Sequence, residues 1–324
     1  MKFVPYTELG NRPNIIVDGA RHEATVLTLS HWPKSGTPAP LKRDTSAAIA
    51  FAYLDAPGFH VDVDVISNDH FDEDGLIGLF TLLNPAFAER HRALLIDAAS
   101  AGDFGTYADT RAARIAFTIA AFADRTRSPL DAAIFGLGYD ERVAALYSAL
   151  LDRLEDIVRD TDAYRDYWEA PEALLHATTR ALADGAITIR EQPELDLAIV
   201  HVPSPGKEVT DFDAICHPYA IYSNTRRNRI LLVCERQYEF RFRYESWVQM
   251  VTHRPLPRVD LGPLVDVLNE AEQSGGQWQA DGVEEITPRM YLVDAAASSL
   301  SEQDFTERLV HALRTGEPAW DPFD

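Results

Sequence analysis

The chain has 324 residues, is 46 % apolar, and carries 51 Asp and Glu against 30 Lys and Arg, a formal charge of −21. The apolar share excludes disorder as the main state, and the length suits two domains of ordinary size. The acidity excludes most sequence-independent nucleic-acid binders and disfavours an anionic membrane surface, so neither long nucleic acid nor a membrane is an expected partner.

The first hundred residues alternate between strand and helix signals. Asn14–Gly19 (NIIVDG) reads as a short buried strand ending in Asp-Gly, and 24–30 (ATVLTLS) as a second. Asp44-Thr45-Ser46 supplies capping side chains for an apolar helix over 47–54. Residues 60–67 (HVDVDVIS) alternate like a half-buried strand, and a helix restarts at Leu76 after a polar loop. Residues 93–97 (ALLID) read as another strand ending in Asp. The expected class is α/β, a parallel doubly wound sheet. Residues from 106 to about 185 read as a helical connector, with apolar positions every three or four residues from Val143 to Val158. From 186 the pattern changes to strands at 195–202, 230–235, 238–244 and 289–293, with helices at 261–272 and 302–313. The expected division is an α/β domain with its connector over 1–185 and a smaller α+β domain over 186–324. Tyr238, Phe240, Phe242 and Tyr244 share one strand face, leaving Glu239, Arg241, Arg243 and Glu245 on an expected polar face.

No cationic segment leading into an apolar stretch opens the sequence, and no apolar run reaches the roughly 20 residues of a membrane span. Cys216 and Cys234 lack the CxxC spacing of a zinc or redox site. A cytoplasmic protein with two buried thiols is expected.

The chemistry concentrates in Asn68–Gly75. This loop follows a strand, precedes a helix and places Asp69, His70, Asp72, Glu73 and Asp74 within six residues. Carboxylates crowded in this way repel one another, and a divalent cation relieves the repulsion. Carboxylate oxygens with an imidazole nitrogen suit manganese, and magnesium less well. A solvated acidic loop capping the next helix is the competing explanation.

The segment Asn68-x-x-x-Asp72-x-Asp74-Gly75-Leu76 resembles the first signature of the DHH phosphoesterase superfamily. Asn in first place resembles the exopolyphosphatase-like branch, and Gly after the last Asp the RecJ-like branch. The resemblance implies a two-metal site in which Asp72 and Asp74 hold manganese, with Asn68 or His70 completing the shell. It also implies hydrolysis of a phosphoester or phosphoanhydride bond. Asp97 resembles the single Asp of the second signature, and Asp103 is a further candidate close by. The Asp-His-His triplet that names the superfamily is absent from the sequence. Asp18 and His31, at the ends of the two earlier strands, are the candidates to replace it; a turn at Asp18 and a surface pair of His31 with Trp32 are the alternatives. In the second half, Phe240–Ser246, Val259-Asp260-Leu261 and Ser274-Gly275-Gly276-Gln277-Trp278 resemble, in order and spacing, the substrate domain of many DHH proteins. Arg241 or Arg243 would clamp phosphate, the Gly275-Gly276 backbone would cradle it, and Trp278 or Trp247 would stack a base or sugar; pairing of the arginines with Glu239 and Glu245 and an ordinary loop at the glycines are the alternatives. The expected substrate is a small nucleotide-like or polyphosphate molecule, and a homodimer stays open. The missing triplet supports the alternative of a degenerate relative that binds a nucleotide or metal without turnover.

Overall fold

Short runs rich in Val, Ile and Leu form the first sheet of the computed structural model, which describes residues 1–324. Its strands are β1 (Lys2–Phe3), β2 (Asn14–Val17), β3 (Thr25–Leu29) and β4 (Val65–Ser67). They lie in the order β1-β4-β2-β3, and every pair is parallel. β2 and β4 are buried along their whole length, so they read as continuous apolar runs. The connection from β3 to β4 contains α1 (Ser46–Leu54) and crosses β2. Ile15, Val17, Leu27, Leu29 and Ile66 share a core with α1 and with α2 (Glu73–Leu83). Ile16 and Val65 have the opposite parity and meet Val4 and Leu9 in a smaller cluster.

Helices α3 (Pro85–Arg90), α4 (Arg92–Phe104), α5 (Thr110–Ala123), α6 (Tyr139–Leu151) and α7 (Leu154–Arg159) follow, and then α8 (Arg165–Ala183). The expected strand over 93–97 is instead the first half of α4. A short apolar run suits a buried strand or a buried helix equally, and the Ala-rich sequence after Asp97 continues a helix whose Leu95, Ala98, Ala99 and Ala101 are buried. The expected strand over 60–67 pairs only from Val65 onward.

The chain divides into one compact unit of Met1–Glu172 with Met250–Thr252, and a second of Ala173–Gln249 with His253–Asp324. The division falls within α8 rather than at Gly185. Glu172 pairs with Arg114 of the first unit, while Ala181 and Leu182 pack in a core of the second.

The second unit contains β5 (Thr188–Gln192), β6 (Leu197–His201), α9 (Pro218–Tyr222), β7 (Arg229–Cys234), β8 (Gln237–Phe242) and β9 (Arg258–Val259). It continues with α10 (Gly262–Ala271), β10 (Gln277–Ala280), β11 (Arg289–Val293), α11 (Glu302–Thr315) and β12 (Pro318–Trp320). Its six-stranded sheet runs β10-β11-β8-β7-β6-β5, antiparallel except for β6 with β7. Phe240 and Phe242 pack with α10 and α11, whereas Ala198, Val200, Ile230 and Leu232 face a second core. Cys216 and Cys234 are free and buried. No helix is long and apolar enough to cross a membrane. The protein is thus a mixed α/β structure with a parallel four-stranded sheet in its first unit.

Candidate metal centre

Because β2, β3 and β4 are parallel, their C-terminal ends lie along one edge of the sheet, where α/β folds place ligands. Asp18 follows β2, His31 lies two residues beyond β3, and the loop Asn68–Asp74 follows β4.

Asp18 is fully buried and holds a left-handed backbone (φ 53°), with its N–H donated to the Leu29 carbonyl at 3.0 Å. Its Oδ1 accepts from Ser46 Oγ at 2.7 Å and lies 3.4 Å from His31 Nε2. Its Oδ2 is 3.3 Å from His70 Nε2 and lacks a hydrogen bond of good geometry. Asp74, in the first turn of α2, receives the N–H groups of Ser46 (2.6 Å) and Ala47 (2.7 Å), which open α1. This is the ordinary placement of an anion at a helix N-terminus. Asp72 caps α2 through Gly75 N at 2.8 Å and turns its other oxygen to His70 Nε2 at 2.9 Å.

His31 is the centre of the buried half. Its Nδ1 meets the Asp44 carbonyl at 2.5 Å. A carbonyl only accepts, so Nδ1 carries the proton and Nε2 faces the acids. From Nε2 the carboxylates of Asp18, Asp74 and Asp103 lie 3.4, 3.9 and 3.7 Å away. Asp103 reaches in from the end of α4 with its side chain only 3 % exposed and its Oδ2 without a hydrogen-bond partner. Two triads share Asp18: Asp18, His70 and Asp72, and Asp18, His31 and Asp74, each with ligand atoms within 4.8 Å of one another.

Burial and mutual repulsion push the carboxyls of Asp18, Asp74 and Asp103 above the usual carboxylate range. Burial also pushes Glu73 up to about 7, with Asp72 adding to it. Burial acts against the charged forms of His70 and Asp72 too, but their pairing outweighs it. His70 is held well above its ordinary value, chiefly by Asp72, and Asp72 is held below its own by His70.

The profile of one protein family matches residues 1–324. The chain belongs to the DUF6687 family, a family of unknown function. No curated protein matches it. What the site can do therefore has to be read from its own side chains.

Asp18, His31, His70, Asp72 and Asp74 converge. Asn68 and Asp97 stand outside the two triads and are engaged elsewhere. The Asn68 amide donates to Tyr147 Oη at 2.8 Å, and its oxygen accepts from Asp69 N at 2.7 Å and His70 N at 3.3 Å, so the side chain organises the loop. Gly75 leaves room for it: a Cβ there would lie 2.4 Å from Asn68 Nδ2. With residues 93–97 helical, Asp97 instead accepts from Ala108 N and Asp109 N before α5. Asp103, nearly two turns further along the helix, is the acid of α4 that faces His31. Ser46 carries no metal-ligand signature and reads only as part of a helix cap, yet it bonds Asp18 and Asp74 together.

The candidate phosphate binders of the second unit are committed to its fold. Arg241 is buried in pairs with Glu239 and Asp213, and Arg243 is buried against Glu245 and over the Tyr222 ring. The expected polar face of β8 is therefore an internal ion-pair layer. Trp278 is 2 % exposed and packs with Tyr238 and Phe305. Beside the Gly275-Gly276 turn, whose Gly276 N donates to Ser274 Oγ, the polar groups gather on an anion of the chain itself, the Glu272 carboxylate. That group accepts from Gln273 N, Ser274 N, Ser299 N, Ser298 Oγ and Trp278 Nε1. Gly276 is required by packing, since a Cβ would lie 2.7 Å from Ala295 Cβ.

Proposed function

We propose that the first unit binds divalent cations, manganese foremost and magnesium second, at the ends of β2, β3 and β4, and hydrolyses a phosphoester or phosphoanhydride bond in a small nucleotide-like or polyphosphate substrate. The observation that carries this reading is the pair of Asp/His triads sharing Asp18. The donor set fits such a cation on independent grounds. Asp18 Oδ2 and Asp103 Oδ2 are buried without hydrogen-bond partners, and the His31–Asp44 bond turns Nε2 inward. On this reading the unit is a doubly wound domain of DHH type, with Asp18 and His31 in place of the missing triplet.

Asp18, Asp72, Asp74, His31 and His70 would be the ligands, with Asp103 beside them. The cation supplies neutralisation of phosphate charge and activation of water. Ser46 and the N-terminus of α1 keep the Asp18 and Asp74 carboxylates in place. Asp72 holds His70 within the cluster, and His70 would have to be the neutral imidazole to serve as a ligand.

The commitment of Arg241, Arg243 and Trp278 to the interior favours a second reading, a cation-binding regulator without turnover. A phosphodiester assay with added Mn2+ separates the two. Hydrolysis by the wild type that is lost in Asp72→Asn and Asp74→Asn supports the enzyme. Cation binding without hydrolysis supports the regulator. Activity surviving both substitutions places the chemistry elsewhere.

A further inference from the structure

Met250–Thr252 belong to the first unit although the chain on both sides belongs to the second. Asp44 anchors this strap. The Asp44 carboxylate accepts from Val251 N at 2.6 Å, Thr252 N at 3.0 Å and Thr252 Oγ1 at 2.6 Å. The same residue presents its backbone carbonyl to His31 Nδ1 at 2.5 Å. Its side chain is thus occupied by the strap and its main chain by the most buried histidine of the cluster. Asp44 lies immediately before Thr45, whose side chain caps α1, and two residues before Ser46, which bonds Asp18 and Asp74.

We propose that Asp44 is a positioning residue of the cation site. Seating of the 250–252 strap on its carboxylate holds the carbonyl that keeps His31 in the Nδ1–H tautomer, with Nε2 turned to the cation. This inference rests on the metal reading given above. Groups behind a ligating histidine typically change metal affinity by about 10- to 100-fold when removed. By linkage, a strap that favours the ligating orientation of His31 is itself held more firmly when the cation is bound.

The test is a calorimetric titration of Mn2+ into the full chain, with 15N spectra of the His31 imidazole recorded on the same samples. Asp44→Ala should weaken binding about tenfold or more and move the His31 signals away from the Nδ1–H pattern. Asp44→Asn keeps an oxygen for the two strap N–H groups and should stay close to the wild type. Thr252→Val removes the hydroxyl that donates to Asp44 and should weaken binding to a smaller degree with a matching shift of the His31 signals; wild-type affinity and signals in this variant count against the proposal. It decides the matter if Asp44→Ala does not fold. Wild-type affinity in Asp44→Ala, or weaker binding with unchanged His31 signals, overturns the proposal. If the wild type binds no Mn2+, the metal reading fails. The strap is then judged on the His31 signals alone, where no change in Asp44→Ala overturns it.

Discussion

Asp18, Asp74 and Asp103 are buried close together, and each is pushed above its ordinary value of 3.8 by desolvation first and by its neighbours second. A carboxyl raised in the folded state stabilises the fold fully below its unfolded pKa, and that contribution is lost as pH rises through the folded value. The cation-free protein should therefore lose thermal stability as pH is raised from about 4 through the raised values of these carboxyls. Saturating Mn2+ should flatten the decline; melting curves in matched buffers with and without the ion provide the check. Asp103→Asn removes one charge while keeping the shape, since its Oδ2 has no hydrogen-bond partner to lose. It should stabilise the cation-free protein by about 1.4 kcal/mol per pKa unit relieved and reduce the stabilisation Mn2+ provides. Cation ligands must be deprotonated, so affinity should rise with pH and binding should release protons. Calorimetry in buffers of different ionisation heat measures that release.

At the scale of elements, the crowding of acids after β4 is legible because a single loop contains it. The placement of Asp18 and His31 is legible from strand order alone, since parallel strands bring their C-terminal ends together. The strand expected over 93–97 fails for the opposite reason. Five apolar and acidic residues carry no period, and only the Ala-rich continuation and the burial of Leu95, Ala98 and Ala99 make that stretch a helix. Asp97 consequently turns to the start of α5, and Asp103 turns inward. The pairing of Arg241 with Glu239 and of Arg243 with Glu245 is legible from their spacing, whereas Asp213, the further partner of Arg241, comes from a distant loop that the sequence does not place beside β8. Arg241→Ala should destabilise the protein by about 2 kcal/mol, because it removes the buried guanidinium that bonds Glu239 and Asp213 and leaves them only the more distant Arg289. Denaturant melts measure the loss. Specific activity of the folded fraction should be unchanged, whereas a phosphate clamp would lose substrate affinity.

At the scale of the molecule, the charge of −21 first serves to exclude partners. The structure separates a scattered share on solvated helices from a concentrated share at one sheet edge, where repulsion has no protein cation other than histidine to relieve it within the two triads. The pattern of the chain changes near 186, whereas its compact units divide within one helix, after Glu172, and a three-residue strap returns to the first, features that carry no composition signal. The claim on which the functional reading depends is that the Asp18 edge binds a divalent cation. A crystal soaked in Mn2+ and measured at the manganese absorption edge tests it directly. Anomalous density is expected within ligand distance, about 2.0–2.3 Å, of Asp18 together with a histidine and a second carboxylate of either triad. A fully soaked crystal with no anomalous peak at that edge, or with peaks only elsewhere on the acidic surface, would contradict it.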